Sequence, residues 1–162
     1  MEVMAALAIV ALMGAIAVVM VDARRTALDV SAERLTRALG EARQEALMSG
    51  QVIGFSAAPD FRGWAFHRYR DGRWRVIADH PALEPVRLPA GVTLEVRDGA
   101  IAPRGGEADP AVPQVWFDPA GFDAPFAYAL ADDDEARIVA RLDDGRIRLG
   151  DPDELALAEL DP

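Results

Sequence analysis

The sequence predicts an α+β protein in which a long N-terminal helix packs on an antiparallel β-domain. Three patterns support this prediction. Residues 3–21 form an uncharged apolar run, and residues 28–46 carry one apolar stripe at helical spacing. From Gln51 onward, short runs of period-two character alternate with Gly, Pro and Asp, which is typical of strands and turns.

These patterns divide the chain into four parts, each with its own composition. The first two belong to the predicted helix, and the third contains all the predicted strands. We assign a transmembrane helix to 1–21, its amphipathic continuation to 22–50, a β-domain to 51–150 and a polar tail to 151–162.

The composition excludes several functional classes. The chain has 162 residues and a net charge of −10, and it lacks cysteine, so disulfides, thiolate metal sites and thiol nucleophiles are excluded. All 17 basic residues are arginine. Residues 1–108 balance 13 acidic residues with 13 arginines, whereas residues 109–162 hold 14 acidic residues and 4 arginines. This acidity argues against nonspecific nucleic-acid binding, which needs basic residues to neutralise phosphates.

The apolar run at residues 3–21 is long enough to cross a bilayer, since 19 helical residues rise about 30 Å. A cleaved secretory signal is a second interpretation, but Glu2 is acidic and no arginine precedes the run. A buried core helix is a third, and it is uncommon in so small a chain. Arg24 and Arg25 follow the run and by themselves would place the β-domain in the cytoplasm.

Glu2 is the one charged residue at the start of the apolar run. It can lie at the membrane surface, beside the positive end of the helix dipole. Alternatively it lies in the apolar layer, where a carboxylate is costly unless it is paired. The terminal amine of a neighbouring subunit is one possible partner.

The stripe after the membrane segment predicts that the helix continues to about residue 49. Gly50 is a natural C-terminal stop, and Gly14 and Gly40 are candidate bends. We therefore expect one helix from about residue 3 to 49, with two helices broken near Asp22 as the alternative. The stripe consists of Leu28, Ala32, Leu35, Leu39, Ala42 and Ala46.

Two Asp-Gly pairs, at 71–72 and 144–145, predict hairpin turns between strands. On the first hairpin we expect Trp64 and Phe66 to share a face with Trp74 and Val76 as cross-strand partners. Residues 98–113 are rich in Gly and Pro and predict a long loop. The predicted strands are 51–57, 64–69, 73–78, 92–97, 114–118, 126–130, 136–142 and 146–149.

The sequence contains no recognisable catalytic or cofactor motif, so we expect neither an enzyme nor a cofactor. Ser31, Ser49 and Ser56 lie outside any nucleophile elbow. His67 and His80 lack a second histidine at metal-ligand spacing, and we interpret both as ordinary surface or edge residues.

Two charged clusters have both a functional and a structural interpretation. Arg68, Arg70, Arg73 and Arg75 lie on one hairpin beside Tyr69 and Trp74, and they form either an anion-binding patch or a solvated face. The acidic run Asp132–Glu135 could hold Ca²⁺, but its spacing is not that of an EF-hand loop. A solvated turn between two strands is the simpler interpretation.

The motifs together resemble a known family. Residues 1–17 are similar to the mature N-terminus of type IV pilin-like proteins and align Glu2 with the family's glutamate. Residues 63–96 and 115–130 resemble the minor pseudopilin H of type II secretion systems. The first of these segments has its Gly-aromatic-x-Phe strand and its Arg-Leu-Pro-x-Gly-Val motif, and the second its Phe-x-Pro-x-Gly-x-x-x-Pro-Phe motif. Residues 35–51 resemble the end of that family's helix.

One feature of the family is missing from this sequence. Members are made with a short basic leader, which a prepilin peptidase cuts after a glycine before methylating the new amine. No leader, glycine or phenylalanine precedes Glu2 here, which a start codon assigned too far downstream or a trimmed sequence would explain. A basic leader would hold the N-terminus in the cytoplasm, so we expect a single-pass inner-membrane protein with a periplasmic C-terminal domain.

The resemblance implies assembly rather than catalysis. Pseudopilins are added to a periplasmic filament by an ATP-driven inner-membrane platform, and the H type lies near the filament tip. The expected partners are therefore other major and minor pseudopilins, the platform, membrane lipid and secreted proteins. Glu2 is implied to pair with the terminal amine of the adjacent subunit.

Two alternatives remain open at this stage. A minor type IV pilin of the FimT type, acting in pilus assembly or DNA uptake, shares the N-terminal motif. The acidic residues 109–162 disfavour it, because DNA-binding members would need basic residues there. A membrane-anchored periplasmic enzyme or sensor domain is the other alternative, and the missing catalytic motifs disfavour it.

Overall fold

The structure is a computed structural model that describes residues 26–98 and 112–153. These residues form one helix, α1 (Ala27–Ser49), packed on two antiparallel sheets, which confirms the predicted α+β class. The strands described are β1 (Ile53–Ala57), β2 (Gly63–Arg70), β3 (Arg73–Val76), β4 (Val86–Arg87), β5 (Thr93–Asp98), β6 (Val115–Phe117), β7 (Phe126–Ala131), β8 (Ala136–Arg141) and β9 (Ile147–Gly150).

Both ends of α1 are capped by local sequence. Thr26 is extended, with φ −63° and ψ 155°, and its hydroxyl accepts a hydrogen bond from the backbone N–H of Asp29. At the other end Gly50 adopts a left-handed φ of +67°, which confirms the predicted stop. The expected helix does not run unbroken through residue 26, because the backbone of Thr26 is extended and α1 begins at Ala27; the part of the expectation at residues 3–25 lies outside the described residues. The helix continues past Gly40 without a break.

The predicted apolar stripe is the buried face of α1. All six of its residues are buried, and Ser31 and Ala38 join them. This face contacts β7, β8 and β9 of one sheet and β1 and β6 of the other. The helix therefore covers the junction of the two sheets.

The two sheets are built from separate sets of strands. The first sheet has the order β3-β2-β1-β6, with β4 also paired to β2, and the second has the order β5-β7-β8-β9. Aromatic rings join the two sheets in the core. Phe55 of β1 contacts Tyr128 of β7 with ring centroids 4.8 Å apart, and Phe117 contacts Phe126 at 6.1 Å.

All eight predicted strands are present, with ends within two residues of the prediction. The sequence did not predict β4, which has only two residues and follows Pro85. It pairs with β2 at Gly63, where a side chain would collide with the backbone carbonyl oxygen of Val86. The glycine therefore permits this close backbone approach.

Both predicted hairpin turns are confirmed. Asp71 and Gly72 have φ of +54° and +76°, the left-handed pair that a two-residue turn requires. Gly145 has φ +77° and closes a three-residue loop in which the N–H of Leu142 donates to Arg146 O at 3.1 Å.

The predicted cross-strand partners on the first hairpin are wrong. Trp74 lies opposite Tyr69, and Val76 lies opposite His67, so neither shares a face with Trp64 and Phe66. The turn has two residues, which places Arg70 opposite Arg73 and fixes every later pair.

An ion-pair network attaches the start of α1 to the second sheet. Asp29 accepts a hydrogen bond from Arg137 of β8 at 3.0 Å, and Arg137 also contacts Glu135 at 2.9 Å and Asp151 at 3.1 Å. Burial by itself raises the pKa of Asp29. The hydrogen bond from Thr26 and the charge of Arg137 outweigh burial, and the pKa lies below its usual value of 3.8.

A buried carboxylate attaches the other half of α1. The Asp123 side chain is 1 % exposed and lies 3.3 Å from Arg43 of α1 and 3.8 Å from Arg141 of β8. It also accepts the backbone N–H of Asp118 at 2.8 Å, and Arg141 donates to the Asp123 carbonyl at 2.7 Å. One carboxylate thus joins the helix, β8 and the chain between β6 and β7.

Several predictions lie outside the described residues. They are the transmembrane helix at 1–21, the position of Glu2, residues 99–111 of the predicted loop and residues 154–162 of the tail. Within residues 26–98 and 112–153, no helix combines the length and the hydropathy needed to cross a bilayer.

Replacing Asp123 by Asn should lower the free energy of unfolding by about 3 kcal/mol, because it leaves the buried Arg141 guanidinium without a counter-charge. Urea unfolding of the purified protein measures this loss. Asp133→Asn, at an exposed residue of the turn between β7 and β8, is the control and should cost much less. Equal losses in the two variants would contradict a structural role for Asp123.

The Asp29–Arg137 pair should make stability fall in acid. Because the pKa of Asp29 is lowered by folding, its contribution is complete well above pH 3.8 and disappears as the pH falls through the lower folded value. Unfolding curves over a pH series should therefore separate the wild type from Asp29→Asn near neutrality and converge in acid. The exposed control Asp133→Asn should have the stability of the wild type at every pH. If Asp29→Asn does so as well, the Asp29–Arg137 pair contributes nothing to stability.

Candidate assembly surface

The outward face of α1 is one candidate contact surface. It runs opposite the buried stripe and has exposed apolar residues near both ends, with Val30 51 % and Met48 76 % exposed. Arg34 makes only a 4.0 Å contact with Glu84 there, and such exposed pairs contribute little. Gly40 lies in the middle of this face, and an added Cβ would have no atom of another described residue within 4 Å.

The four arginines of the first hairpin share one face of the sheet. Register places Arg68 opposite Arg75 and Arg70 opposite Arg73, on the same face as Phe66 and α1. We call these four residues the arginine face. The expectation that these arginines form one patch with Tyr69 and Trp74 is wrong. Side chains alternate along a strand, so both aromatic rings lie on the opposite face of the sheet.

Only part of the arginine face is neutralised. Arg68 lies 3.5 Å from both Glu45 and Asp79, and Arg75 lies 3.7 Å from Asp71. Arg70 and Arg73 form no ion pair with any residue that the structure describes. An open pocket of about 430 Å³ adjoins the arginine face. It is lined by Arg68, Arg70, Arg75, Val76, Ile77, Ala78 and Asp79.

The opposite face of the first sheet is apolar and partly exposed. Trp74 packs against Tyr69 with ring centroids 5.0 Å apart. A side chain at Gly54 would collide with the ring of Pro113 and lie 2.9 Å from Trp74, so both rings close over this glycine. Tyr69 is 45 % exposed, and Val76 and Trp116 are exposed as well.

His67 is buried, which corrects the interpretation of a surface or edge histidine. It lies opposite Gly54 on the face that Trp74 and Pro113 cover, and its Nε2 is 2.7 Å from Ser56 Oγ. Burial lowers the pKa of His67 below its ordinary value.

The Ser56–His67 pair lacks the third group of a catalytic triad. No carboxylate among the described residues contacts the His67 ring, although such a group orients the base in serine hydrolases. Ser31 donates instead to the Ala27 carbonyl, and Ser49 accepts the N–H of Gln51. His80 is half-buried, and its Nδ1 finds no hydrogen bond within the described part of the chain.

The acidic run Asp132–Glu135 forms the turn between β7 and β8. Asp132 Oδ1 accepts the backbone N–H of Glu135 at 2.9 Å and of Asp134 at 3.0 Å. These bonds lower the pKa of Asp132, that from Glu135 contributing most. No three acidic or histidine residues in the described ranges lie close enough to hold a metal ion. Asp123, the buried carboxylate that contacts both Arg43 and Arg141, is not part of this run.

Known proteins are similar to this one in sequence and in fold. The family model of the type II transport protein GspH matches residues 31–145. The type II secretion system protein H of Aeromonas hydrophila is 27% identical over 137 residues, which cover 75% of this chain and 74% of that protein.

Two solved structures are similar in fold. The minor pseudopilin EpsH from the type 2 secretion system of Vibrio cholerae has a TM-score of 0.64 and 23% identity, over 78% of this chain and 98% of EpsH. The type IV minor pilin FimU of Pseudomonas aeruginosa has a TM-score of 0.53 and 22% identity, over 76% of this chain and 87% of FimU. Because the family match spans most of the chain, from α1 to the turn after β8, this protein belongs to the GspH family of type II transport proteins.

Proposed function

We propose that this protein is a minor pseudopilin, a structural subunit near the tip of the periplasmic pseudopilus that is held there by helix packing. The observation that carries this proposal is the two-sided character of α1. One face is buried on the sheets, and the other, from Val30 to Met48, is left exposed with apolar residues near both ends. An exposed helix face of this kind is suited to contact with neighbouring helices.

Family membership already implies assembly with other pseudopilins and a periplasmic domain anchored to the inner membrane. The family and fold are those of structural subunits. The finer proposals are a single membrane pass within residues 1–21 and contact with the inner-membrane platform, lipid and secreted proteins. The uncharged run at residues 3–21 supports the membrane pass.

Gly40 supports close helix packing by its position. Glycine in a helix interior costs about 1 kcal/mol relative to alanine. No atom of residues 26–98 or 112–153 occupies the space that a Cβ would take, so the described part of the fold does not need a glycine there. A neighbouring helix that approaches closely would need it.

Glu2 is the proposed assembly residue. A carboxylate in an apolar environment requires a partner, and the terminal amine of the adjacent subunit carries the opposite charge. Its place at the head of the apolar run and its alignment with the pilin glutamate support this role.

A FimT-like minor pilin remains the alternative, since FimU has a similar fold. The 14 acidic residues against 4 arginines in 109–162 favour secretion over DNA uptake. Tight, salt-sensitive binding of DNA in a gel-shift assay would favour the alternative instead.

Glu2→Ala should abolish type II secretion when the protein, made with a cleavable prepilin leader, complements a strain that lacks its gene. The uncompensated amine of the neighbouring subunit would then block incorporation, while the β-domain still folds. Secreted enzyme in the medium and protease resistance of the domain measure the two effects. Glu95→Ala, at an exposed residue of β5, should secrete normally. Normal secretion by Glu2→Ala would contradict the assembly role.

Gly40→Ala should separate stability from assembly. The free energy of unfolding should rise by up to about 1 kcal/mol, because alanine favours the helix and the site is open. Secretion should fall, because the added methyl group holds a neighbouring helix away. Gln44→Ala, on the same face, removes volume and should secrete normally. A stabilised Gly40→Ala variant with full secretion would show that this face does not pack closely.

A further inference from the structure

We propose that the free edge of β3 binds an extended segment of another protein in which acidic and apolar side chains alternate. The segment would add to the first sheet as an antiparallel or parallel strand next to β3. Its acidic side chains would lie on the same side of the sheet as the arginine face and contact it. Its apolar side chains would lie on the other side and contact Trp74 and Val76.

The outer edge of β3 is unpaired in the part of the chain that the structure describes. β3 is the last strand of the order β3-β2-β1-β6, and no strand within the described residues pairs with its outer side. An edge strand presents unpaired backbone N–H and C=O groups, which can template a further strand. Strand addition therefore needs no rearrangement of the sheet.

The arginine face has a charge arrangement that the fold alone does not explain. Arg68 lies directly opposite Arg75 on the neighbouring strand, and Arg70 lies directly opposite Arg73. Like charges in directly opposed positions destabilise a sheet. Arg70 and Arg73 have no acidic partner among the described residues, so an acidic ligand would relieve this repulsion.

The other face of β3 carries apolar side chains and would favour apolar side chains on an added strand. Trp74 and Val76 alternate with Arg73 and Arg75, and Val76 is 52 % exposed. The side chains of an added strand would meet both faces in turn. A segment that is acidic on one side and apolar on the other is therefore complementary to β3 along its whole length.

Three other occupants fit less well. The β3 strand of a second copy would bring arginines against arginines. Nucleic acid would contact the arginine face but would leave the apolar face and the open edge unused. Lipid headgroups are disfavoured by position, because Arg68 pairs with Glu45, which lies about 24 Å along α1 from Asp29. The hairpin is thus far from the end of α1 that follows the predicted membrane segment.

The test measures binding of a labelled synthetic peptide, in which glutamate alternates with valine and threonine, to the full-length protein in detergent micelles by fluorescence anisotropy. Arg73→Glu with Arg75→Glu should weaken binding at least about tenfold, through loss of roughly 1.4 kcal/mol or more. Arg97→Glu with Arg146→Glu makes the same charge change at exposed residues elsewhere and should bind like the wild type. Equal weakening in both pairs would overturn a specific site.

Two altered peptides test the strand geometry. A scrambled peptide of the same composition should bind at least about tenfold more weakly, and so should a peptide N-methylated at every second residue, because each loses register or backbone hydrogen bonds. Equal binding of either peptide would mean simple charge attraction and would overturn strand addition. Failure of the alternating peptide to bind, or arginine-dependent binding of duplex DNA in its place, would also overturn it.

Circular dichroism checks that the charge-reversal variant is folded, and Arg73→Gln with Arg75→Gln replaces it if the hairpin melts. The neutral variant should also bind the alternating peptide more weakly than the wild type. Wild-type affinity in the neutral variant would overturn the role of the arginine face. Because binding is measured in solution, its failure is distinct from a failure of secretion.

Discussion

The structure depends above all on the burial of one face of α1. Leu28, Leu35 and Leu39 lie fully buried against both sheets, so this contact both completes the core and fixes which face of the helix remains outside. Each fully buried leucine contributes about 2 kcal/mol. Two charged attachments, at Asp29 and at Asp123, set the direction of the helix over the sheets. The exposed face of α1 is therefore as well defined as its buried one, and a helix-packed filament needs such a face.

The acidity of the C-terminal third has structural as well as surface roles. Asp123 is buried among two arginines, and Asp132 and Asp144 accept backbone N–H groups that close turns. These carboxylates stabilise the fold from within a region whose overall charge repels nucleic acid. Four of the 17 arginines lie on the first hairpin, where Arg70 and Arg73 form no ion pair with any residue that the structure describes.

Local patterns predicted the helix stripe, the Gly50 stop and eight strands, because each depends on residues close together in the chain. The pairing of Trp74 with Tyr69 was also within reach of the sequence, since counting outward from the two-residue turn at Asp71-Gly72 gives that register. The burial of His67 could not be predicted in this way, because the face on which it lies is covered at the opposite residue, Gly54, by Pro113, a residue distant in the chain. The same holds for Asp123, whose partner Arg43 is 80 residues away. No pattern around Asp123 distinguishes it from the solvated aspartates nearby. The two-residue strand β4 is too short to produce a periodicity at all.

The connectivity of α1 also constrains when the domain can fold. Its stripe is covered mainly by β7, β8 and β9, and the last of these ends at Gly150. In a domain whose residues reach the periplasm in sequence order, α1 would arrive well before the strands that cover it. Contacts between such distant segments form slowly, and the apolar stripe stays exposed to other proteins in the interval. Folding of the domain is thus linked to completion of the chain as far as β9.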